Sequence, residues 1–196
     1  MTRDEIVKEV IEHPFLQGLS HDQLSLLKDC ALSAHFKAGE VIFREGDQAE
    51  RFYLITSGKV VLESGAGSGP PVVIESIGAG DLLGWSWMMP PYQWHFTARA
   101  VEPTEAISFA STILRQYCER DHSLGFELHK RMSAVMMRRL QAARKKMIAI
   151  HAHGEKLQPV GLSPFMEQEF DTDGYVDPDS QAPTQPLPAD SKSPVK

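Results

Sequence analysis

The residues best suited to bind a small molecule are concentrated in one short segment of the chain. All three tryptophans of the chain lie in this segment, within ten consecutive positions, and a histidine, a serine and a threonine lie close to them. The candidate ligand-pocket residues are Gly84, Trp85, Ser86, Trp87, Trp94, His95, Phe96 and Thr97. An aromatic-lined pocket suits a small, flat and largely apolar ligand, with His95, Ser86 and Thr97 as polar anchors. In the alternative interpretation, the tryptophans fill the cavity themselves and the domain is a ligand-free interaction module.

Sequence signals for catalysis and for metal binding are weak. Residues 121–123 read Asp-His-Ser, but a hydrolytic triad needs these types adjacent in space, and capping of the following helix explains them better. The glycine-rich segment 65–70 lacks the Lys-Ser/Thr of a phosphate-binding loop. His151 and His153 have no third ligand nearby, and two cysteines cannot build a four-cysteine zinc site. The sequence therefore predicts neither an enzyme nor a metal site.

A run of seven basic residues lies between Glu127 and Glu155, with no acidic residue among them. This candidate basic contact face consists of Lys130, Arg131, Arg138, Arg139, Arg144, Lys145 and Lys146. Seven cations on one helix could bind nucleic acid, an anionic membrane surface or an acidic protein. We favour the simpler interpretation, the solvated face of an amphipathic helix with cations placed toward its carboxyl end.

Three patterns of apolar residues indicate the elements that position these side chains. Residues 1–33 have helical periodicity, and Ser20 with Gln23 forms a capping box at the start of the second helix. Residues 34–110 change to short apolar runs separated by glycine-containing turns, which is typical of a β-sandwich or barrel. Residues 111–152 return to the helical period.

The last helical segment carries one long apolar stripe. Its members are Leu124, Leu128, Met132, Val135, Met136, Leu140, Ala143, Met147 and Ile150. A stripe this wide beside a small β domain packs partly on that domain and partly on another copy of itself. The sequence therefore predicts a homodimer through helix 124–150.

The negative charge of the chain is concentrated in its last segment. Residues 155–196 contribute −5 to a formal net charge of −6, and seven of the 13 prolines lie in this segment. We expect residues 153–196 to form a disordered, acidic tail, because such a composition cannot bury enough apolar surface to offset its ordering entropy. An apolar motif at 160–170 could dock on the domain or on a partner, although a plain tether is favoured. With no signal peptide, no membrane span and few cysteines, a cytoplasmic location is expected.

Two segments of the strand region resemble the opening of a cyclic-nucleotide-binding domain, the β-roll shared by catabolite-activator/FNR-type regulators and kinase regulatory subunits. They read HFKAGEVIFREGD at 35–47 and FYLITSGKV at 52–60. The family's turn glycines match Gly39, Gly46, Gly58 and Gly80. The resemblance covers about His13 to Ile150. It implies a mainly β fold, an eight-stranded jelly roll with N-terminal helices and a long C-terminal dimer-type helix.

The phosphate-binding cassette is where this sequence departs from the family. The resemblance implies a glutamate that holds the ribose 2′-OH and an arginine that neutralises the cyclic phosphate. Alignment on Gly84 puts Trp85 at the glutamate, whereas counting back from residues 98–100 puts Trp94 at the arginine and His95 at the small residue after it. Loss of the arginine leaves the phosphate without its charge-assisted partner, which disfavours ordinary cAMP binding.

The resemblance and its departures together imply a stand-alone regulatory or sensor module that signals through a partner protein by moving its long helix. Where activator-type relatives carry a helix-turn-helix, this chain has the acidic tail, so nucleic acid is not an expected partner. Two alternatives stay open. One is a genuine cAMP or cGMP binder with a variant cassette, and the other is a transcription-associated regulator that contacts nucleic acid through residues 130–146. No cofactor is certain, and a cyclic nucleotide or another small, flat ligand is compatible with the sequence.

Overall fold

The computed structural model describes residues 1–65 and 70–152, and the acidic tail with its apolar motif at 160–170 lies outside them. The helices are α1 (Arg3–Glu12), α2 (His21–Cys30), α3 (Ser111–Arg120) and α4 (His122–Ala152). The strands are β1 (Ala31–Phe36), β2 (Val41–Phe43), β3 (Arg51–Ser57), β4 (Lys59–Ser64), β5 (Val72–Gly78), β6 (Leu82–Leu83), β7 (Thr97–Ala100) and β8 (Thr104–Ala110). A single 3-10 turn, Ser86–Met88, lies between β6 and β7.

The eight strands form two antiparallel sheets of four. One has the order β1-β8-β3-β6 and the other the order β2-β7-β4-β5. Most neighbouring strands are distant in sequence, as β3 pairs with β8 and β4 with β7, whereas β4 and β5 are consecutive. This arrangement confirms the predicted eight-stranded jelly roll with flanking helices.

Strand β3 separates two apolar cores because its side chains alternate between the faces of the sheet. Tyr53 and Ile55 point into the roll, where they join a core formed by the two sheets. Phe52 and Leu54 point outward to a second core that includes residues of α1, α2, α3 and α4. The helices therefore cover one sheet of the roll.

The N-terminal segment contains less helix than its sequence suggests. Ser20 and Gln23 form the predicted capping box of α2, and that helix ends at Cys30. Ala31, which the sequence places in the helical segment 1–33, has extended geometry and begins β1 opposite Phe109. Of the residues in β1, only Ala31 is buried, so the alternating pattern that would reveal a strand is missing.

The four predicted turn glycines all have left-handed backbone geometry. The φ angles are +85° at Gly39, +85° at Gly46, +88° at Gly58 and +83° at Gly80. The hairpin between β3 and β4 shows the reason most directly, since a Cβ on Gly58 would lie 2.4 Å from the carbonyl oxygen of Pro103. No side chain fits at this turn without moving the loop before β8.

Helix α4 begins with a side-chain cap and runs along the roll. The Asp121 carboxylate accepts hydrogen bonds from the backbone of Ser123 and Leu124, as the capping interpretation predicted. Leu128 and Met132 are buried against the domain, whereas Leu140 is 64% exposed. The first part of the apolar stripe thus packs on the roll and the second part lies open. Within the described residues, no helix is both long and apolar enough to cross a membrane.

Candidate functional site

The centre of the cassette is occupied by Trp94. Its ring stacks on Phe43 with 3.8 Å between centroids, and only 4% of the residue is exposed. The ring also lies against the backbone of Gly84, where an added Cβ would come within 2.7 Å of it. Gly84 has a φ of +89°. The indole is therefore buried at the sequence position at which the family resemblance implies an arginine.

A second pair of stacked rings also lines the cassette. The Trp85 ring stacks on His95, with 4.3 Å between centroids, and the Nδ1 atom of His95 lies 2.7 Å from the Oγ atom of Ser86. Thr97 Oγ1 accepts a hydrogen bond from the backbone of Glu45. All three polar side chains that the sequence suggests as ligand anchors are thus engaged within the domain.

Trp87 belongs to the same core as Trp94 but has different ring partners. It is 1% exposed and stacks on Phe52, and its carbonyl oxygen accepts a hydrogen bond from Arg115. The sequence grouped the three tryptophans because they are close along the chain. The 3-10 turn places Trp87 next to α3, whereas Trp85 stacks on His95 and Trp94 on Phe43.

The space left inside the cassette is about 10 Å³. Gly84, Trp85, Ser86, Trp94, His95 and Phe96 line it together with Phe43, Leu62 and Arg139. A single water needs roughly 10–15 Å³. The cassette is therefore closed to any molecule larger than water unless side chains move.

Arg139 reaches this site from α4, although the sequence assigned it to an exposed basic face. Its Nε lies 3.4 Å from a carboxylate oxygen of Glu75 in β5, and its Nη2 donates to the carbonyl of Leu82. Its Nη1 is buried and has no hydrogen-bond partner among the described residues. Burial lowers the pKa of Arg139 while Glu75 and Asp81 raise it, and a guanidinium stays protonated at neutral pH. A buried cation with an unused donor thus lies beside the closed cassette.

Next to the cassette is a larger cavity of about 300 Å³ between β4, β5 and α4. Its walls are mainly apolar, and its charged side chains are Glu75, Arg139 and Lys146. Lys146 reaches across it to donate to the carbonyl of Ile74 at 3.2 Å. The cavity and the cassette share Leu62, Trp85, Phe96 and Arg139.

The remaining basic residues of α4 do not form one continuous cationic surface. Arg131 donates to the carbonyls of Phe15 and Gln17, and it pairs with Glu127, as Lys130 also does. The exposed cations without such contacts in this helix are Arg138, Arg144 and Lys145. A basic contact face remains a prediction for these three residues only.

The buried position of Arg139 was not predicted, because a basic residue is usually exposed. The spacing of its neighbours nevertheless indicates it. Arg139 lies three residues after Met136 and four before Ala143, so it falls within the apolar stripe rather than opposite to it. Residues at these spacings share one face of a helix. An arginine inside an apolar stripe needs a buried partner, and Glu75 provides it.

Comparisons with known proteins identify relatives of the strand region and of the helix that follows it. Residues 33–121 match the family model described as the cyclic nucleotide-binding domain. The cGMP-dependent protein kinase 2 of Homo sapiens is 30% identical over 84 residues, which are 42% of this chain and 11% of the kinase. Lysophospholipase nte1 of Neurospora crassa is 26% identical over 99 residues, which are 50% of this chain and 6% of that protein. The chain thus spans only a small part of the curated relatives that it matches.

The similarity to solved structures concerns the fold. A crystal structure from Geobacter metallireducens GS-15, described as a cyclic nucleotide-binding protein, has a TM-score of 0.62 and 24% sequence identity. The match covers 71% of this chain and 98% of that one. The roll and its flanking helices are therefore shared with that structure.

Proposed function

Because residues 33–121 belong to the cyclic nucleotide-binding domain family, we propose that this chain is a regulatory module that does not bind cAMP in the family's usual way. Its own aromatic side chains occupy the cassette. The module acts without catalysis, through helix α4 and a partner protein that recognises this helix.

The observation that carries this proposal is the closed cassette. A cyclic phosphate needs charge-assisted donors and room for its oxygens. The space beside Gly84 holds about 10 Å³, and the Trp94 ring lies against this glycine. Opening it would also separate the stacked Trp94 and Phe43 rings, whose contact contributes about 0.5–1.5 kcal/mol beyond area burial.

Calorimetric titration with cAMP and cGMP tests the proposal. We expect no binding heat from the wild-type protein up to about 1 mM nucleotide. The variants Trp94→Ala and Trp94→Arg both open the space, but only the second returns a cation to it. Weak binding is therefore expected to return in Trp94→Arg alone. Micromolar binding by the wild-type protein would contradict the proposal.

One observation favours a second candidate, a genuine cyclic-nucleotide binder with a variant cassette. Arg139 lines the cassette, and its buried Nη1 atom has no partner among the described residues. If this guanidinium replaces the missing arginine, nucleotide binding is lost in Arg139→Met and kept in Arg138→Met. That pattern would establish the second candidate in place of the first.

Helix α4 is the element that we propose transmits the signal. Its contacts with the roll include the Glu75–Arg139 pair and the hydrogen bond from Lys146 to Ile74. A molecule bound between β5 and α4 changes the position of the helix only if it binds one position more tightly than the other. Nucleic acid is not the proposed partner, since Arg131, Arg139 and Lys146 are engaged within the domain.

A further inference from the structure

We propose that the cavity between β4, β5 and α4 binds a small apolar molecule with one negative charge, and that Arg139 holds the charged group. This inference rests on the proposed function, because it names the class of molecule that the regulatory module senses. It assigns the binding role to a cavity beside the cassette and to a residue of α4.

The size and walls of the cavity suit an apolar molecule. At about 300 Å³ it reaches the range of roughly 300–1,000 Å³ of small-molecule sites. Leu62 and Ile74 come from the strands, Trp85 and Phe96 from the cassette, and Met136 and Leu140 from α4. Ile74 is 39% exposed and Leu140 is 64% exposed, so an occupant would also cover apolar surface that now meets water.

The charges in the cavity suit a single anion. Arg139 and Lys146 supply two positive charges, and Glu75 supplies one negative charge. The lining therefore has one net positive charge. Glu75 contacts Nε of Arg139, and Leu82 accepts from Nη2, which leaves Nη1 as the unused donor. A carboxylate in the cavity would lie beside the Arg139 guanidinium and balance the charge.

The scarcity of polar groups argues against a nucleotide in this cavity. Glu75, Arg139 and Lys146 are its charged residues, and the other lining residues are apolar. The ribose hydroxyls and base edges of a nucleotide would need several further partners. An aliphatic or aromatic carboxylate needs only the one that Arg139 offers.

The test is calorimetric titration of the full chain with decanoate and with 1-decanol, which have equal chain length and differ in charge. We expect decanoate to bind the wild-type protein more tightly than decanol. In Arg139→Met, decanoate affinity should fall about tenfold or more while decanol binding is retained. The exposed neighbour provides the matched control, as Arg138→Met should leave both affinities unchanged.

Two further variants keep the inference testable if Arg139→Met does not fold. Glu75→Gln removes the competing carboxylate, so it should strengthen decanoate binding and leave decanol binding unchanged. Ala143→Trp fills the cavity from an exposed position of α4 and should abolish binding of both probes.

Equal decanoate affinity in the wild type and Arg139→Met would overturn the inference, as would no binding of either probe at about 1 mM to a folded wild-type protein. In both cases the proposed function stands if cAMP and cGMP also fail to bind. Nucleotide binding, by contrast, contradicts the proposed function, so the two failures are distinguishable.

Discussion

At the scale of single residues, the cassette depends on one glycine and one tryptophan. The positive φ of Gly84 brings the backbone close to the Trp94 ring, and no side chain fits between them. Trp94 therefore contributes apolar contact where the resemblance implies a charged contact with a ligand. The cassette is therefore closed by a glycine and a tryptophan at these two positions, and the fold itself is unchanged.

His13 provides a pH-dependent contribution to stability at the same scale. It is 3% exposed, and its Nδ1 accepts a hydrogen bond from the backbone of Phe15, so the ring is neutral in this role. Burial lowers its pKa, and neighbouring groups, Ile55 and Asp81, oppose the shift only in part. The unfolded state, with the ordinary pKa of 6.5, then binds the proton more readily.

We expect the stabilising contribution of His13 to be present above pH 6.5 and to be lost as the pH falls below it. The loss for this one proton is at most about 1.4 kcal/mol per pH unit. The variant His13→Asn keeps an acceptor near the backbone of Phe15 but cannot titrate, so its stability should vary less between pH 7 and pH 5.5.

Urea unfolding across this pH range measures the effect. His21→Asn removes an exposed histidine and is the matched control. The explanation is wrong if His13→Asn and His21→Asn have the same pH dependence as the wild-type protein.

At the scale of elements, helix α4 is anchored at two levels along its length. Near its start, Arg131 donates to the carbonyls of Phe15 at 3.0 Å and Gln17 at 2.6 Å. Further along, Arg139 and Lys146 contact strands β5 and β6. The helix thus connects the N-terminal segment to the cavity between β4, β5 and α4. Movement of the helix would therefore affect both, as the proposed function requires.

The contribution of Arg131, near the start of α4, can be tested by measuring the free energy of unfolding. We expect Arg131→Met to lower the free energy of unfolding by about 1–3 kcal/mol, because two backbone carbonyls lose a charged donor. Lys130→Met is the control, since its ammonium is exposed and, among the described residues, pairs with Glu127 alone. Urea unfolding measures both changes, and equal losses in the two variants would contradict the assigned role of Arg131.

At the scale of the whole molecule, helix α4 leaves apolar side chains exposed along its length. Phe126 is 66% exposed, Leu140 64%, Ile148 58%, Met137 55% and Met147 54%. Phe126, Leu140 and Met147 are separated by multiples of seven residues, as on the contact face of a coiled coil. A homodimer through helix 124–150 remains a prediction, and this face is where it would form.

We expect sedimentation velocity to detect a dimer whose population rises with concentration. Met147→Glu should shift the equilibrium to monomer, because it would bury a charge in the interface. Gln141→Glu adds the same charge at an exposed position of α4 and should leave the dimer intact. A monomer at all concentrations would contradict the prediction.

The sequence alone determined the features that depend on local geometry. Short-range sequence patterns set the local backbone geometry. They predicted the glycines at positive φ, the caps at Ser20 and Asp121, and most of the strands. The tryptophans at positions 85 and 94 also led to the prediction that the family's usual phosphate contacts are missing. Strand β1 was missed because its pairing with β8 is distant in sequence and its burial does not alternate.

Only the tertiary structure decided what each helical face meets. Periodicity placed Arg139 on the apolar stripe, but it could not show that Glu75 lies opposite or that a cavity lies between them. The same holds for Trp87 and Trp94, which share one core but stack on different rings, Phe52 and Phe43. Contacts between distant segments depend on how the sheets and helices pack. The closed cassette and its neighbouring cavity therefore could not be predicted from the sequence patterns and required the folded structure.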